Sequence, residues 1–527
     1  LWIGTNRGLF KYNIKSDTVK RYRYSNHRPN MLSQAYITDV VVSDDGHLLV
    51  STLNGLNVYN RESDSFSFIR QDYRNHSSSI SCNRINTLFC DKGNIWVGTQ
   101  MDGVNILAPN IIHPLIWRYN YLREKNSKEP NPVNAITEDL DGNIWVATAD
   151  GGVNKMRKGS NMFESFIFED TNDESISNNS ISGLLVDSYN HLWAYTWGVG
   201  INELDLNIDG NQTFKRHERE NRKGLESDFL GSAAEDRLNN GIWFGSTCGL
   251  HFYNRETGRF IRILFDDSDN EFKEVRAMMV DSCNRLWWGT SEGVFIAYLN
   301  TLDKEKASID YIYMKYKLTE PGSRQLEKIN CIFQDSKGTI WLGSESNGLY
   351  RLKSDENGVF SFANYTTSDG LPGNTVIGIV EDMNGILWMS TGRGLTSLNI
   401  KEKCFTNFTR EDGLPDNNFN WNSYHYSAND NLLYFGTMNE LVAFTPVQIP
   451  PGHNSVSPVI TSWMVAGGNI NPLPDRKMKN DDNRHEVKIH VSDRGLVITF
   501  STLDYANSHR IKYAYRLKGY EEAWIET

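Results

Sequence analysis

The chain has 527 residues, too many for one hydrophobic core, so we expect two or three domains. Aromatic residues make up 12% of the chain and 41 residues are glycine, which favours short packed strands and tight turns over disorder. The formal net charge of −11 argues against a nucleic-acid-binding surface, which needs a basic face. No stretch is apolar over the length that a bilayer-spanning helix requires.

A fifteen-residue motif recurs along the chain, for example as GNIWVGTQMDGVNIL at 93–107 and GTIWLGSESNGLYRL at 338–352. Each copy has a Trp, or a large apolar substitute, three residues before a Thr or Ser, and a Gly with an aliphatic residue usually follows. A period of 44 to 54 residues indicates a propeller, a solenoid or another array. The ten anchors are Trp2, Leu49, Trp96, Trp145, Trp193, Trp243, Trp287, Trp341, Trp388 and Tyr434.

One copy of the motif, together with its flanks, predicts four short strands. Around Trp341 the apolar runs INCIFQ, TIWLGS, GLYRL and VFSFANY are separated by polar turns, and none has a helical period. Four antiparallel strands in each repeat are typical of a β-propeller blade. We therefore predict that the anchors pack between neighbouring blades. An Asp six residues before an anchor, such as Asp335, is expected to bond the backbone of its own turn.

The sequence changes character near Pro446. Residues 447–457 are rich in proline and predict a linker. Residues 458–527 contain alternating runs such as GLVITFSTLDY and predict a β-sandwich that is cut short at Thr527. The six cysteines lack CxxC or Cys/His spacing, so we predict no zinc site and expect mostly buried thiols.

The repeats resemble the regulator-propeller repeats of hybrid two-component sensors of gut Bacteroidetes. The segment KYAYRLKGYEEAW (512–524) resembles the immunoglobulin-like domain, named for its Tyr-x-Tyr-x-Tyr pattern, that follows them. The resemblance covers essentially the whole chain. It implies a periplasmic sensor, acting as a homodimer, with a membrane helix, histidine kinase, receiver and DNA-binding regulator further on. None of these four parts lies in the sequence, so membrane contact is expected only through a missing C-terminal segment.

The domain layout of these sensors explains the ten anchors. Two seven-bladed propellers precede the sandwich, and seven anchors counted back from Tyr434 reach Trp145. Residues 115–446 would then be a complete propeller, and residues 1–114 the last three blades of a truncated one. The connector 105–122, with two prolines and no tight turn, fits a boundary there. Because Leu1 begins inside a repeat, the absence of a signal peptide is uninformative. A single ten-bladed propeller is the alternative.

Ligand-binding residues are expected in the segments that are not repeated. In a four-stranded blade, the turn after each Thr or Ser shares one face with the long polar connections between blades, where binding usually resides. Trp197 is a second Trp in such a turn and suits a sugar ring, although it could simply cover the propeller mouth. Arg393 could bind a carboxylate or sulfate with two hydrogen bonds, or be a solvated turn residue. Asp150 occupies the same turn in its copy.

Two further stretches supply candidates. FNWNSYHY (419–426) contains Trp421, Asn422 and His425, but strand alternation separates Trp421 from Tyr424 unless a bulge intervenes, so part of this cluster is expected in the core. Trp117 and Arg118 lie near the predicted domain junction, where pockets are favoured. The candidate set is Trp197, Arg393, Trp421, Asn422, His425, Asp150, Trp117 and Arg118.

We weigh a sensor against an enzyme and a docking scaffold. HExxH and P-loop motifs are absent, and pairs such as Asp102 with Asp150 are expected by coincidence among 65 acidic residues, so we predict no enzyme activity for this fragment. A scaffold would need large apolar patches, whereas the loops are polar. We therefore predict a sensor that binds an oligosaccharide, without cofactor or metal, and regulates polysaccharide-utilisation genes. The glycan itself is not identified by the sequence.

Overall fold

The structure is a computed structural model, and it describes residues 1–24, 31–44, 46–61, 63–71, 79–91, 93–107, 114–118, 131–208, 213–217, 224–265, 275–291, 293–314, 328–356, 359–446, 458–465, 471–472, 495–504, 511 and 513–527. The chain divides into two compact units. One comprises Leu1–Ile111 together with Ile449–Thr527, and the other comprises Ile112–Gln448. Among the described residues, no helix has the length and apolar character needed to cross a bilayer.

The N-terminal part of the first unit contains three antiparallel sheets in chain order, β1–β3, β4–β7 and β8–β10. Their strands are β1 (Trp2–Thr5), β2 (Gly8–Asn13), β3 (Thr18–Tyr22), β4 (Ile37–Val42), β5 (Leu48–Thr52), β6 (Gly55–Asn60), β7 (Ser65–Ile69), β8 (Ile85–Asp91), β9 (Asn94–Thr99) and β10 (Val104–Leu107). The first strands of successive sheets contact one another, as blades of a propeller do.

The second unit is a ring of seven four-stranded antiparallel sheets, which we number as blades 1 to 7. Blades 1 to 4 contain β12 (Val133–Glu138), β13 (Ile144–Thr148), β14 (Val153–Met156), β15 (Phe163–Phe166), β16 (Ile181–Val186), β17 (His191–Thr196), β18 (Ile201–Asp205), β19 (Lys215–His217), β20 (Leu230–Asp236), β21 (Gly241–Ser246), β22 (Gly249–Asn254), β23 (Arg259–Arg262), β24 (Ala277–Val280), β25 (Arg285–Gly289), β26 (Val294–Tyr298) and β27 (Tyr311–Met314). Blades 5 to 7 contain β28 (Ile329–Gln334), β29 (Ile340–Ser344), β30 (Leu349–Glu356), β31 (Val359–Tyr365), β32 (Val376–Glu381), β33 (Ile386–Thr391), β34 (Gly394–Asn399), β35 (Cys404–Phe408), β36 (Phe419–Ser427), β37 (Leu432–Thr437), β38 (Glu440–Phe444) and, from before blade 1, β11 (Leu115–Arg118).

The ring is closed in two ways. The first strand of each blade contacts the first strand of the next, and β36 contacts β12. The strand β11 pairs antiparallel with β38 and supplies the outermost strand of blade 7, so the beginning of the unit completes its last blade. Short 3-10 helices at Leu299–Thr301, Thr367–Asp369 and Arg410–Asp412 lie outside the sheets.

Bulges in the first strands hold neighbouring blades together. The extra residue of a bulge faces away from its own ladder, so it can bond a neighbouring strand. Asn134 donates to the carbonyl of Ile181 at 2.8 Å, and Asn420 donates to that of Val133 at 2.8 Å, which links blade 7 to blade 1. Ser182 makes the same type of bond to the carbonyl of Leu230.

The anchors of the second unit lie in the core between the blades, as predicted, whereas Trp2 and Trp96 of the first unit are only partly buried. All six Trp anchors of the second unit are 0–1% exposed. Each indole Nε1 also donates to an Asp in the turn before its strand, at 2.7–3.0 Å. Asp335, for example, accepts from Trp341 with one carboxylate oxygen and from the backbone N–H groups of Lys337 and Thr339 with the other. The predicted turn bonds are present, and the indole bond is an addition to them.

The C-terminal part of the first unit has two small antiparallel sheets. They contain β39 (Val459–Val465), β40 (Asn471–Pro472) and β41 (Leu496–Ser501), and β42 (Ala514–Tyr515) with β43 (Ile525–Glu526). The all-β propeller class is confirmed. The predicted linker 447–457 lies outside the described residues. The predicted domain limits and the truncation of the first propeller stay predictions.

Candidate functional site

Each blade of the second unit has two functionally different ends. The turn between its second and third strands and the connection to the next blade lie at one end, which we call the connection face. The Asp-containing turn between its first and second strands lies at the other end, which we call the Asp-turn face. Sequence analysis placed binding at the connection face.

Trp197 lies on the connection face beside Phe229, a residue that sequence analysis did not single out. Both side chains are 44% exposed, their ring centroids are 5.7 Å apart, and the rings meet edge to face. A backbone bridge joins the two residues, and the N–H of Gly198 donates to the carbonyl of Asp228 at 2.8 Å. The turn of blade 2 and the connection to blade 3 therefore form one aromatic surface, which we call the aromatic pair.

Trp421 and Asn422 extend into the ring from a bulge in β36. The pairing register shifts between Phe419 and Tyr424, and Asn422 has a φ of +58°, a conformation that Asn tolerates. The Trp421 ring lies beside Gly231, two residues after Phe229. The Asn422 side chain hydrogen-bonds that of Tyr195, two residues before Trp197. The structure thus brings three predicted residues, Trp197, Trp421 and Asn422, to one region.

The centre of the ring is filled beneath this region. The Tyr424 side chain of blade 7 lies close to Tyr195 of blade 2 and Cys331 of blade 5. These blades are not neighbours of blade 7, so the contacts run across the ring axis. Burial raises the pKa of Tyr195 to about 12 and that of Tyr424 well above its usual value, so both hydroxyls stay protonated. Gly378 makes room for Tyr424, because a Cβ there would lie 2.0 Å from the ring.

Trp421 brings an unsatisfied polar group to this region. Its Nε1 is enclosed and has no hydrogen-bond partner among the described residues. Buried donors in folded proteins are nearly always paired with protein, water or ligand. The indole N–H of Trp421 is therefore an enclosed donor without an acceptor among the described residues, on a ring that lies beside Gly231.

Arg393 and Asp150 share the connection face but lie on other blades. Arg393 is an exposed residue in the second turn of blade 6, where its backbone N–H donates to Thr391 Oγ1 at 3.1 Å. Asp150 is an exposed residue in the second turn of blade 1, and its backbone N–H donates to Asn131 Oδ1 at 2.9 Å. Arg393 and Asp150 therefore lie on the same connection face as the aromatic pair, but on different blades.

His425 lies elsewhere and has a structural partner. Its Nε2 is 3.1 Å from Glu138 Oε2, and Ser427 and Asn429 donate to the other oxygen of the same carboxylate. These contacts join blade 7 to blade 1 toward the Asp-turn face. The bulge therefore places His425 apart from Trp421, and the role of either residue in binding stays a prediction.

Trp117 packs at the outer edge of blade 7. Its ring stacks on the anchor Tyr434 at 6.5 Å and meets Phe163 edge to face. It lines a cavity of about 300 Å³, and a second cavity of about 470 Å³ lies between blades 1 and 2, but neither is lined by Trp197. The backbone of Arg118 pairs with Glu440. Trp117 therefore serves ring closure, away from the aromatic pair.

Two carboxylate pairs came into question as glycosidase pairs from the sequence, Asp102 with Asp150 and Glu292 with Glu345. Asp102 and Asp150 belong to different units, and Glu345 pairs with Lys328 at 2.5 Å. Glu292 lies outside the described residues. Within the described part of the chain, no group of three or more His, Cys, Asp or Glu side chains is arranged to hold a metal ion.

Comparisons with known proteins agree with this architecture. Residues 324–346 and 370–393 match the two-component regulator propeller repeat. The chain is 25% identical over 410 residues to Histidine kinase P4 of Formosa agariphila, covering 75% of this chain and 28% of that protein. It is also similar to the extracellular domain assigned to the hybrid two-component system BT3049 of B. thetaiotaomicron, with a TM-score of 0.67 and 24% identity over 100% of this chain and 65% of that one.

The fold defines the chain as a β-propeller protein, and two of its segments match the two-component regulator propeller repeat. These matches confirm the predicted resemblance to the sensor region of a hybrid two-component system. The chain spans 28% of the length of the histidine kinase that it matches.

Proposed function

We propose that this chain is the periplasmic, ligand-sensing region of a hybrid histidine kinase and response regulator, and that it binds an oligosaccharide. The observation that carries the proposal is the aromatic pair of Trp197 and Phe229, exposed on the connection face of a propeller built from two-component regulator repeats. Regulation of polysaccharide-utilisation genes would be the output of the whole protein.

The chemistry of the aromatic pair suits a sugar. Sugar rings present C–H faces that pack on aromatic rings, and two rings meeting edge to face form a corner that contacts two sides of one residue. We propose that the amide of Asn422, in the same region, orients a hydroxyl group of the sugar. Because side chains fill the ring axis below, a ligand would enter from the connection face.

Signalling requires the ligand to bind two conformations with different affinity, since equal affinity shifts no equilibrium. We propose that the two states differ in how the subunits of a homodimer are arranged, with the C-terminal sheets passing the change toward the membrane. The rigid blades would then transmit a change that begins in the loops of blades 2 and 3.

Calorimetric titration with a panel of plant and host oligosaccharides tests the proposal. Once one glycan binds, Trp197→Ala and Phe229→Ala should each weaken binding by about 1 kcal/mol or more, a truncation cost typical of central contact residues. Arg393→Ala should do the same only if the glycan is acidic. Tyr189→Ala is the matched control, because Tyr189 is 56% exposed in the Asp turn of blade 2.

Two results would contradict the proposal. Unchanged affinity in both Trp197→Ala and Phe229→Ala, with a loss in Tyr189→Ala, would move recognition to the Asp-turn face. Breakdown of any glycan during incubation, followed by chromatography of the products, would favour a propeller lyase or hydrolase instead.

A further inference from the structure

A cluster of ionisable side chains lies at the outer edge of the junction between blades 2 and 3, apart from the aromatic pair. Glu203 of β18 is its centre, and this carboxylate is only 11% exposed. It accepts from His217 Nε2 at 2.8 Å and Lys215 Nζ at 2.6 Å, both on β19, and contacts His191 Nδ1 of β17 at 3.2 Å. Three basic side chains therefore converge on one carboxylate.

The two histidines of this cluster have different surroundings. His217 is 1% exposed, and its ring stacks on Trp193 at 5.8 Å and meets Tyr253 and Phe260 edge to face. Protonation of His217 would place a positive charge on this enclosed ring, and desolvating that charge would be costly. His191 is 28% exposed and also has Asp205 within 3.7 Å of its other ring nitrogen, so it can take up a proton from solvent.

Charges from blade 3 complete the surroundings of the cluster. Asp187, in the turn before β17, accepts from Arg255 Nη2 at 2.7 Å, and the same guanidinium reaches Glu235 at 3.0 Å. Arg237 bonds Glu235 as well. Four carboxylates thus face three permanently charged cations when both histidines are neutral, and one proton would balance them. The fixed cations are Lys215, Arg237 and Arg255, and the carboxylates are Asp187, Glu203, Asp205 and Glu235.

We propose that His191 makes the junction between blades 2 and 3 responsive to pH, binding a proton on mild acidification and thereby tightening the attachment of β19 to its blade. The strand β19 has only three residues, and both its first and its last residue bond Glu203. The attachment of this strand therefore depends on the charge balance around one carboxylate. The inference does not require the glycan site to be correct.

The direction of the effect follows from the pKa shifts. The hydrogen bond with Glu203 is the main reason that the pKa of His191 is raised. A raised pKa in the folded state contributes stability that is fully present below the pKa of the unfolded chain, and that is lost as the pH rises through the folded value. Burial alone would raise the pKa of Glu203, but its three basic partners hold it well below the usual range, so Glu203 stays charged throughout.

Thermal unfolding of the full chain at about pH 6 and about pH 8 tests the proposal, since the reference histidine pKa lies in this interval. The stability advantage of the wild type over His191→Gln should be larger at the lower pH, by about 2 °C in the unfolding temperature of the propeller. In a Glu203→Gln background the same comparison should show a smaller pH dependence, because the main partner charge is gone while Asp187 and Asp205 remain. An advantage of wild type that is equal at both pH values would overturn the proposal.

His251→Gln is the matched control. His251 is fully buried on β22, and burial lowers its pKa to about 4, so the unfolded chain takes up its proton at about pH 6 and the advantage of wild type over His251→Gln should be smaller at the lower pH, opposite in sign to His191. If Glu203→Gln does not fold, hydrogen exchange of residues 213–217 in the wild type, corrected for intrinsic exchange, decides the matter. Slower opening of this segment at the lower pH supports the proposal, and identical opening at both pH values contradicts it.

Discussion

The bond between a turn aspartate and a buried Trp anchor offers a quantitative test of how the blades are held. Asp335 is 5% exposed and satisfies three donors: the indole of Trp341 at 2.9 Å and the backbone N–H groups of Lys337 and Thr339 at 3.0 and 2.8 Å. In Asp335→Asn, the amide oxygen can keep the two backbone bonds, whereas the amide N–H₂ then faces the indole N–H. One buried donor is left without an acceptor.

A buried unsatisfied donor costs about 1–3 kcal/mol, so we expect Asp335→Asn to lose about 2 kcal/mol of stability. Asp335→Ala removes the acceptor of all three donors and should therefore lose more stability, about 3–4 kcal/mol. The loss is no larger because water replaces part of the bonds in the turn. In a domain of this size, about 2 kcal/mol lowers the unfolding temperature by roughly 3 °C.

Differential scanning calorimetry of the full chain provides the assay, and Lys337→Ala in the same turn is the control, expected within about 0.5 kcal/mol of wild type. Trp341→Phe removes the indole donor but keeps the aromatic ring. Asp335→Asn should therefore cost less in the Trp341→Phe background than in the wild type, as neighbouring sites are not additive. An Asp335→Asn variant that unfolds at the wild-type temperature would refute the role assigned to this bond.

Two further stability predictions concern the centre and the closure of the ring. Gly378→Ala should destabilise the propeller by about 1–3 kcal/mol, because its Cβ would overlap the Tyr424 ring, whereas Gly373→Ala, whose Cβ would have only ordinary contacts, should be close to neutral in the same calorimetric scan. Asn420→Ala removes the side-chain bond to the carbonyl of Val133 that links blade 7 to blade 1, and urea unfolding should show a loss of about 1 kcal/mol. Substitution of the exposed Asn418, which bonds only within its own connection, should leave that transition unchanged and serves as its control.

The repeated features of the fold could be predicted because each copy of the motif has the same residue types at the same spacing. In every blade of the second unit the second strand carries a Trp, or Tyr434 in blade 7, three residues before a hydroxyl, so burial of these anchors follows from the pattern. The turn aspartates were also predictable, since short-range bonds depend on neighbours in the sequence. The indole bond was not, because Asp335 and Trp341 lie at opposite ends of a turn whose geometry had to be known.

The candidate site was harder to predict because it joins residues that are distant in the chain. Trp197 was identified from its unusual position in a turn, but its partner Phe229 is one of several apolar residues in a polar connection. Because of the bulge in β36, Trp421 and Asn422 extend toward the ring axis, whereas His425 bonds Glu138. Alternation along a strand indicates the face of a side chain only where the pairing register is regular.

Hydrogen exchange measured with and without a bound oligosaccharide tests the proposed recognition most directly. Protection should appear in residues 196–200 and 228–231, which carry the aromatic pair and Gly231, while the Asp turns at 139–142 and 187–190 stay unchanged. Protection confined to the Asp turns, or to neither region while the glycan is bound, would contradict the assignment of sensing to the connection face.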